Sequence, residues 1–218
     1  MSATVVREVD TPHGRARVHS QLVEEPRAAL VLGHGAGGGV AARDLLAATE
    51  AALAQRVQVT LVEQPYRVAG RRSPAPAAQL DTAWRAVVAA LREDEARGLP
   101  LVVGGRSSGA RVACRTAEAL GAAAVLCLAF PLLPPPRRSG GAEPVSRLPE
   151  LDAVRVSTLV VQGMNDRFGV PPAAPGRSVV VVPGDHALRS GLAELREAVG
   201  AWLEEVVEVR AVAEERAL

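Results

Sequence analysis

Hydrophobic and polar positions divide the chain into a short opening unit and a long alternating one. Residues 4–9 and 15–23 are separated by the turn-forming Thr11-Pro12-His13-Gly14, which predicts an amino-terminal hairpin. After the hairpin, largely apolar strand-like segments, continuously apolar at 28–32, alternate with helix-compatible stretches. The runs at 28–32, 57–62, 101–103, 123–129, 158–161 and 178–182 read as strands. Helical composition fills 40–54, 77–97 (closed by Gly98-Leu99-Pro100), 110–120 and 188–207. Runs such as Leu101-Val102-Val103 and Val179-Val180-Val181-Val182 have no polar alternation, which is expected of strands covered on both faces. The pattern predicts an α/β fold with a mostly parallel central sheet, antiparallel only at its first strands, and helices on both faces. The long irregular stretch 131–152 carries Pro134-Pro135-Pro136 and Gly140-Gly141. It leaves the carboxyl end of a strand, where open α/β sheets bind their ligands, so it is expected to border a site.

Composition adds exclusions. A chain of 218 residues can bury one sizeable core, so residues 1–218 are expected to form a single domain. With 48% hydrophobic residues, 22% charged residues and a net charge of +1, nothing calls for a nucleic acid or an acidic membrane as partner. All 25 basic residues are arginine, and the doublets Arg71-Arg72 and Arg137-Arg138 lie beside proline or serine in expected loops. The first ten residues contain Arg7, Glu8 and Asp10 and lack the apolar core of a secretory signal. The longest apolar run, 122–133, is interrupted by Pro131 and falls short of the roughly 20 residues a membrane span requires. A cytoplasmic protein is therefore expected, with Cys114 and Cys127 as buried, reduced thiols lacking metal-ligand spacing. No metal and no organic cofactor is expected.

The chemistry begins at Gly104-Gly105-Arg106-Ser107-Ser108-Gly109-Ala110-Arg111. Ser107 is the centre of a G-x-S-x-G turn between a strand and a helix, a geometry that holds a serine hydroxyl above the sheet. Such a turn also occurs as a purely structural device, so further residues must decide. A serine nucleophile needs a base, and the base needs an orienting group. Asp166 follows the strand Leu159-Val160-Val161 through Gln162-Gly163-Met164-Asn165, and His186 follows the strand ending at Val182. Both lie at the same edge of the sheet as Ser107, and the order Ser, Asp, His is that of α/β-hydrolases. Asp185 is a rival acid, but neighbouring side chains rarely point the same way, which favours Asp166. An oxyanion hole requires two donors. The backbone N–H of Ser108 offers one, and Ala36 in the loop His34-Gly35-Ala36-Gly37-Gly38-Gly39 the other, with His34 pinning that loop. The same loop satisfies G-x-G-x-x-G from Gly33, and Glu63 ends the next strand where a dinucleotide-binding fold keeps its ribose carboxylate. That rival leaves Ser107, Asp166 and His186 unexplained.

Taken together with Pro131-Leu132-Leu133-Pro134-Pro135, Val161-Gln162-Gly163 and Gly184-Asp185-His186, these motifs resemble the small α/β-hydrolases related to dienelactone hydrolase, especially the testis-expressed-protein-like branch. The resemblance runs from about Ala28 to the carboxyl-terminal helix. It implies a Ser107–Asp166–His186 triad on a hydrolase core without a large lid domain. Dienelactone hydrolase itself resembles the chain less closely, since it carries a cysteine where Ser107 stands. The expected activity is serine-dependent cleavage of a small soluble ester or thioester through an acyl-enzyme, with Glu63, Tyr66, Leu132, Leu133 and Phe168 as pocket candidates. The alternative is a catalytically silent hydrolase fold used for binding or assembly.

Overall fold

A computed structural model of the protein describes residues 3–134 and 145–215. Pro135, Pro136, Gly140, Gly141 and the Arg137-Arg138 doublet lie outside the described residues. Strands β1 (Ala3–Thr11) and β2 (Gly14–Leu22) form the hairpin, paired antiparallel from Ala3 opposite Leu22 to Thr11 opposite Gly14. The alternation then runs β3 (Ala28–Gly33), α1 (Arg43–Ala54), β4 (Val57–Glu63), α2 (Pro65–Val68), α3 (Ala77–Glu93), β5 (Leu101–Arg106) and α4 (Ser108–Thr116). It closes with β6 (Ala124–Leu128), α5 (Leu148–Asp152), β7 (Ser157–Gly163), β8 (Arg177–Val182) and α6 (Leu192–Glu215). Eight strands form one sheet in the order β1-β2-β4-β3-β5-β6-β7-β8. The hairpin joins antiparallel through β2 and β4, and every pairing from β4 and β3 through β8 is parallel. Parallel strands send all their carboxyl ends to one edge, and that edge carries the site.

The missing polar alternation has a direct cause in the layers. Ala29 and Val31 of β3 face Trp84, Val87 and Leu91 of α3 and Ala110 and Ala113 of α4, while Leu30 and Leu32 face Leu45 and Ala48 of α1 together with Leu195, Val199 and Leu203 of α6. Both faces of β3 are dry, and its successive residues are accordingly all apolar or glycine. Truncating a fully buried side chain such as Leu30 to alanine is expected to cost about 2–5 kcal/mol.

Several boundaries depart from the sequence expectation, each for a local reason. Strand β5 continues to Arg106, so a single residue separates it from α4. Helix α3 stops at Glu93, and the chain turns back through Gly98 at a φ of 72°. Leu188 and Gly191 take positive φ values of 45° and 68°, which delays the last helix until Leu192. Two short helices were not expected. Pro65 opens α2 at a position where its missing N–H costs nothing, and Pro149 stands in the first turn of α5, inside the stretch 131–152 read as irregular.

Candidate active site

Because β5 ends at Arg106 and α4 begins at Ser108, the reversal of direction falls on Ser107 alone, whose backbone takes φ 52° and ψ −107°. A non-glycine residue held there costs about 1–3 kcal/mol, so the surroundings must over-determine it. They do so on two sides. The Ser107 N–H donates to the Leu128 carbonyl at 2.9 Å, and Gly105 and Gly109 let β5 and α4 press against β3. A Cβ on Gly105 would stand 2.5 Å from the Gly33 carbonyl oxygen, and one on Gly109 would overlap the same carbonyl. The two glycines of the G-x-S-x-G pattern are thus required by close approach of backbone.

His186 lies beyond β8, past Gly184 with its φ of 127°. Its Nε2 stands 2.9 Å from Ser107 Oγ and its Nδ1 2.7 Å from Asp166 Oδ2. Asp166 sits in the turn after β7 with its carboxylate fully buried. Besides the imidazole, Oδ2 accepts from Gln162 Nε2 at 2.8 Å and Oδ1 accepts from the Phe168 N–H at 2.9 Å. Asp185 instead accepts from the Ala187 N–H at 2.8 Å, closing its own turn. Phe168 packs its ring edge against His186 with 4.5 Å between centroids, restricting the imidazole from the side. Ser107 and His186 are half-buried, so the relay is open to a small molecule while its acid is not.

The glycine-rich loop lies beside the serine, where a Cβ on Gly35 would come within 3.6 Å of Ser107 Cβ. Its orientation follows from His34, which is 3% exposed. The ring accepts from the Gln64 N–H at Nε2 (3.1 Å), which leaves Nδ1 to donate to the Gly35 carbonyl at 2.8 Å. The Gly38 N–H donates to that same carbonyl at 3.1 Å. In a trans peptide the C=O and the next N–H point in opposite directions, so fixing the Gly35 carbonyl also fixes the Ala36 N–H. The Tyr66 hydroxyl donates to the Ala36 carbonyl at 2.9 Å and anchors the next peptide. The second donor is simpler. Ser108 is the first residue of α4, and the first N–H groups of a helix have no partner within it.

Serine, imidazole and buried carboxylate in one hydrogen-bonded line, beside the Ala36 peptide of the pinned glycine loop and the first peptide of α4, can carry out nucleophilic acyl transfer. Comparison with known proteins bears on the family. Residues 26–189 match the family described as Alpha/beta hydrolase domain. This chain belongs to the alpha/beta hydrolases. Among solved structures it is similar to XC6422 from Xanthomonas campestris, described as an a/b serine hydrolase without lid, at 20% identity and a TM-score of 0.71 over 90% of this chain and 91% of that one. Est1E from Butyrivibrio proteoclasticus is 15% identical, with a TM-score of 0.70 over 93% and 99% of the two chains. A dienelactone hydrolase from Anabaena variabilis is 13% identical, with a TM-score of 0.71 over 94% and 98%. The comparison with curated proteins found no match.

In this alpha/beta hydrolase the pocket candidates separate. Phe168 lies against His186, and the Leu133 N–H donates to the Phe168 carbonyl at 2.9 Å, which brings the 131–134 segment to the acid turn. Leu132 packs beside Gly169 in the same place. Tyr66, on α2, reaches the glycine loop through the Ala36 carbonyl. The Glu63 carboxylate is engaged by the hairpin: it meets His19 Nε2 at 3.2 Å and Arg17 Nη1 at 3.6 Å, because antiparallel pairing sets β2 directly beside the end of β4. With Glu63 so engaged and the glycine loop against Ser107, the dinucleotide reading loses both its anchors. A cleft of about 280 Å³ between the hairpin turn and α2–α3 is lined by His13, Gln64, Pro65, Tyr66 and Leu80, and not by Ser107 or His186. Three residues passed over in the sequence stand next to the reactive groups: Gln162, which braces the acid, and the pair Arg106 and Asp44. Arg106 and Gln162 each stood inside a motif, Arg106 as a charge set between the glycines and the serine of the turn, and Asp44 gave no signal. Among the described residues, no group of three or more His, Cys, Asp or Glu side chains is placed to hold a metal ion, and no helix is long and apolar enough to cross a membrane.

Proposed function

We propose that this alpha/beta hydrolase, acting as one domain, cleaves a small ester or thioester through an acyl-enzyme on Ser107. The observation that carries the reading is the continuous line Ser107 Oγ, His186, Asp166 at 2.9 and 2.7 Å, with Ser107 at a positive φ. Ser107 Oγ attacks the acyl carbon while His186 Nε2 takes its proton, and Asp166 holds the imidazole and stabilises its positive charge. The carbonyl oxygen becomes an oxyanion facing the N–H groups of Ser108 and Ala36, each worth about 2.7–4 kcal/mol of barrier in comparable sites. Collapse expels the alcohol or thiol, which receives the proton from His186. Water then repeats the sequence on the acyl-enzyme and releases the acid, so the reaction balances without a metal or organic cofactor.

Substrate size is inferred from the half-buried, accessible serine and histidine. Leu132, Leu133, Phe168 and Tyr66 are assigned to the rim of the acyl site. The motifs along the chain favour the testis-expressed-protein-like branch within the family. The test is labelling with a fluorophosphonate, followed by turnover of short p-nitrophenyl esters and acyl thioesters. Wild-type protein is expected to label and Ser107→Ala to remain unlabelled. Folded wild-type protein that does not label would leave a binding scaffold as the reading.

A further inference from the structure

Arg106, the residue before the nucleophile, is only 16% exposed in its side chain, and its ion-pair partner Asp44, at the start of α1, only 1%. Burying a carboxylate and a guanidinium costs several kcal/mol per ion unless each is well compensated, so the pair demands an explanation. Its surroundings supply one. Arg106 Nε stands 2.8 Å from Asp44 Oδ2. Nη2 donates to the backbone carbonyl of His186 at 2.9 Å. Nη1 lies under the glycine loop, where a Cβ on Gly35 would come within 2.8 Å of it. One planar group therefore touches the first turn of α1, the peptide before the Ala36 N–H and the backbone of the residue whose imidazole meets Ser107.

We infer that Arg106 is a positioning residue that locks the glycine loop and the His186 loop to each other beside the nucleophile, with Asp44 as its anchor. The inference rests on the serine-hydrolase reading for its catalytic consequence. The physical basis is the rigidity of the guanidinium. Its nitrogens keep fixed relative positions, so a shift at any of the three contacts is passed to the other two, and a lysine, with one charged nitrogen, can satisfy only part of the set. Asp44 receives the Leu45 N–H on Oδ1 at 2.9 Å and turns its other oxygen to Arg106, which keeps the guanidinium from swinging out to solvent. Burial pushes the Asp44 carboxyl upward and the Arg106 charge opposes that, as expected where each ion depends on the other. A side chain at Gly35 would displace Nη1.

The test uses full-length Arg106→Gln, Arg106→Lys, Asp44→Asn and Gly35→Ala, with a p-nitrophenyl ester as substrate and fluorophosphonate labelling to count active sites. Arg106→Gln is expected to lower kcat per labelled site about 10- to 100-fold with KM within about threefold, the cost of misplacing reactive groups by about an ångström. Arg106→Lys should fall between it and wild type. Combining Arg106→Gln with Gly35→Ala should cost less than the product of the single effects, because both act on one contact. Amide exchange is expected to quicken in Arg106→Gln over residues 34–39 and 184–188 together, and to stay unchanged in the β1–β2 hairpin. A kcat per labelled site within about twofold of wild type, a loss explained wholly by fewer labelled sites, or a rise in KM alone overturns the inference. So does exchange that quickens in neither loop or in only one. Should the wild-type protein not label, the hydrolase reading fails, and the exchange measurement still decides whether Arg106 couples the two loops.

Discussion

Two loops at the carboxyl edge of the sheet each carry a histidine within reach of the serine turn, and the two histidines are used in opposite ways. His34 is buried, and both its ring nitrogens are bound by backbone, one accepting from Gln64 and one donating to Gly35. His186 is half-buried, and both its ring nitrogens meet side chains, a carboxylate and a hydroxyl. A ring bound by one backbone donor and one backbone acceptor is locked as a single neutral tautomer, and burial pushes its pKa below the ordinary value. A ring between a carboxylate and a hydroxyl is oriented by the first and can take a proton from the second. In the proposed reaction these partners make His34 part of the scaffold and His186 the base.

That contrast can be broken by substitution. Ser107→Ala and His186→Ala are expected to lower kcat by about a million-fold, with Asp166→Asn nearer 10,000-fold, measured on an activated ester with urea unfolding as the folding control. His34→Ala should behave differently. It leaves the Gln64 N–H and the Gly35 carbonyl short of a partner, so unfolding free energy should fall by about 2–5 kcal/mol while kcat per folded molecule falls only about 100-fold. Equal losses of kcat for His34→Ala and His186→Ala would erase the distinction. Tyr66→Phe removes one hydrogen bond from the Ala36 carbonyl and sharpens the comparison, with an expected loss of about 2- to 10-fold in kcat and little in KM. The smallest effect is on pH dependence. The unfolded chain protonates His34 near its ordinary value of 6.5, and the folded chain resists. Above that pH the ring is neutral in both states. As pH falls below it, the unfolded state gains a proton first, and stability declines by up to about 1.4 kcal/mol per pH unit. Urea midpoints from pH 7.5 to 5 should therefore drop more steeply for wild type than for His34→Gln, and parallel curves would remove His34 as the cause.

How much was legible depended on how local each feature is. The alternation of elements could be read because burial of both sheet faces writes itself into consecutive residues, as in Leu101-Val102-Val103. The glycines around Ser107 were legible as a turn, since close backbone approach leaves few residue types possible. The ends of helices were less legible. The positive φ values at Leu188 and Gly191 left no mark that would have shifted the start of α6 to Leu192. The partners of Glu63 were not legible, because its position at a strand end says nothing about which neighbouring strand presents a cation, and β2 presents His19 and Arg17. Gln162 was seen only as part of a motif, though its amide holds the buried carboxylate of Asp166.

By itself the sequence determined an α/β chain with a serine turn, an acidic turn and a histidine turn, each just past an apolar run, because strand burial and turn chemistry depend on neighbours along the chain. The tertiary structure alone decided the strand order that brings Ser107, Asp166 and His186 into one line across 79 and 20 residues of separation. It also decided that Arg106 reaches Asp44, Gly35 and His186 at once. Those contacts join segments that meet only after loops from different strands converge at one edge. Their geometry is set by packing and strand order, which residues adjacent in sequence do not encode.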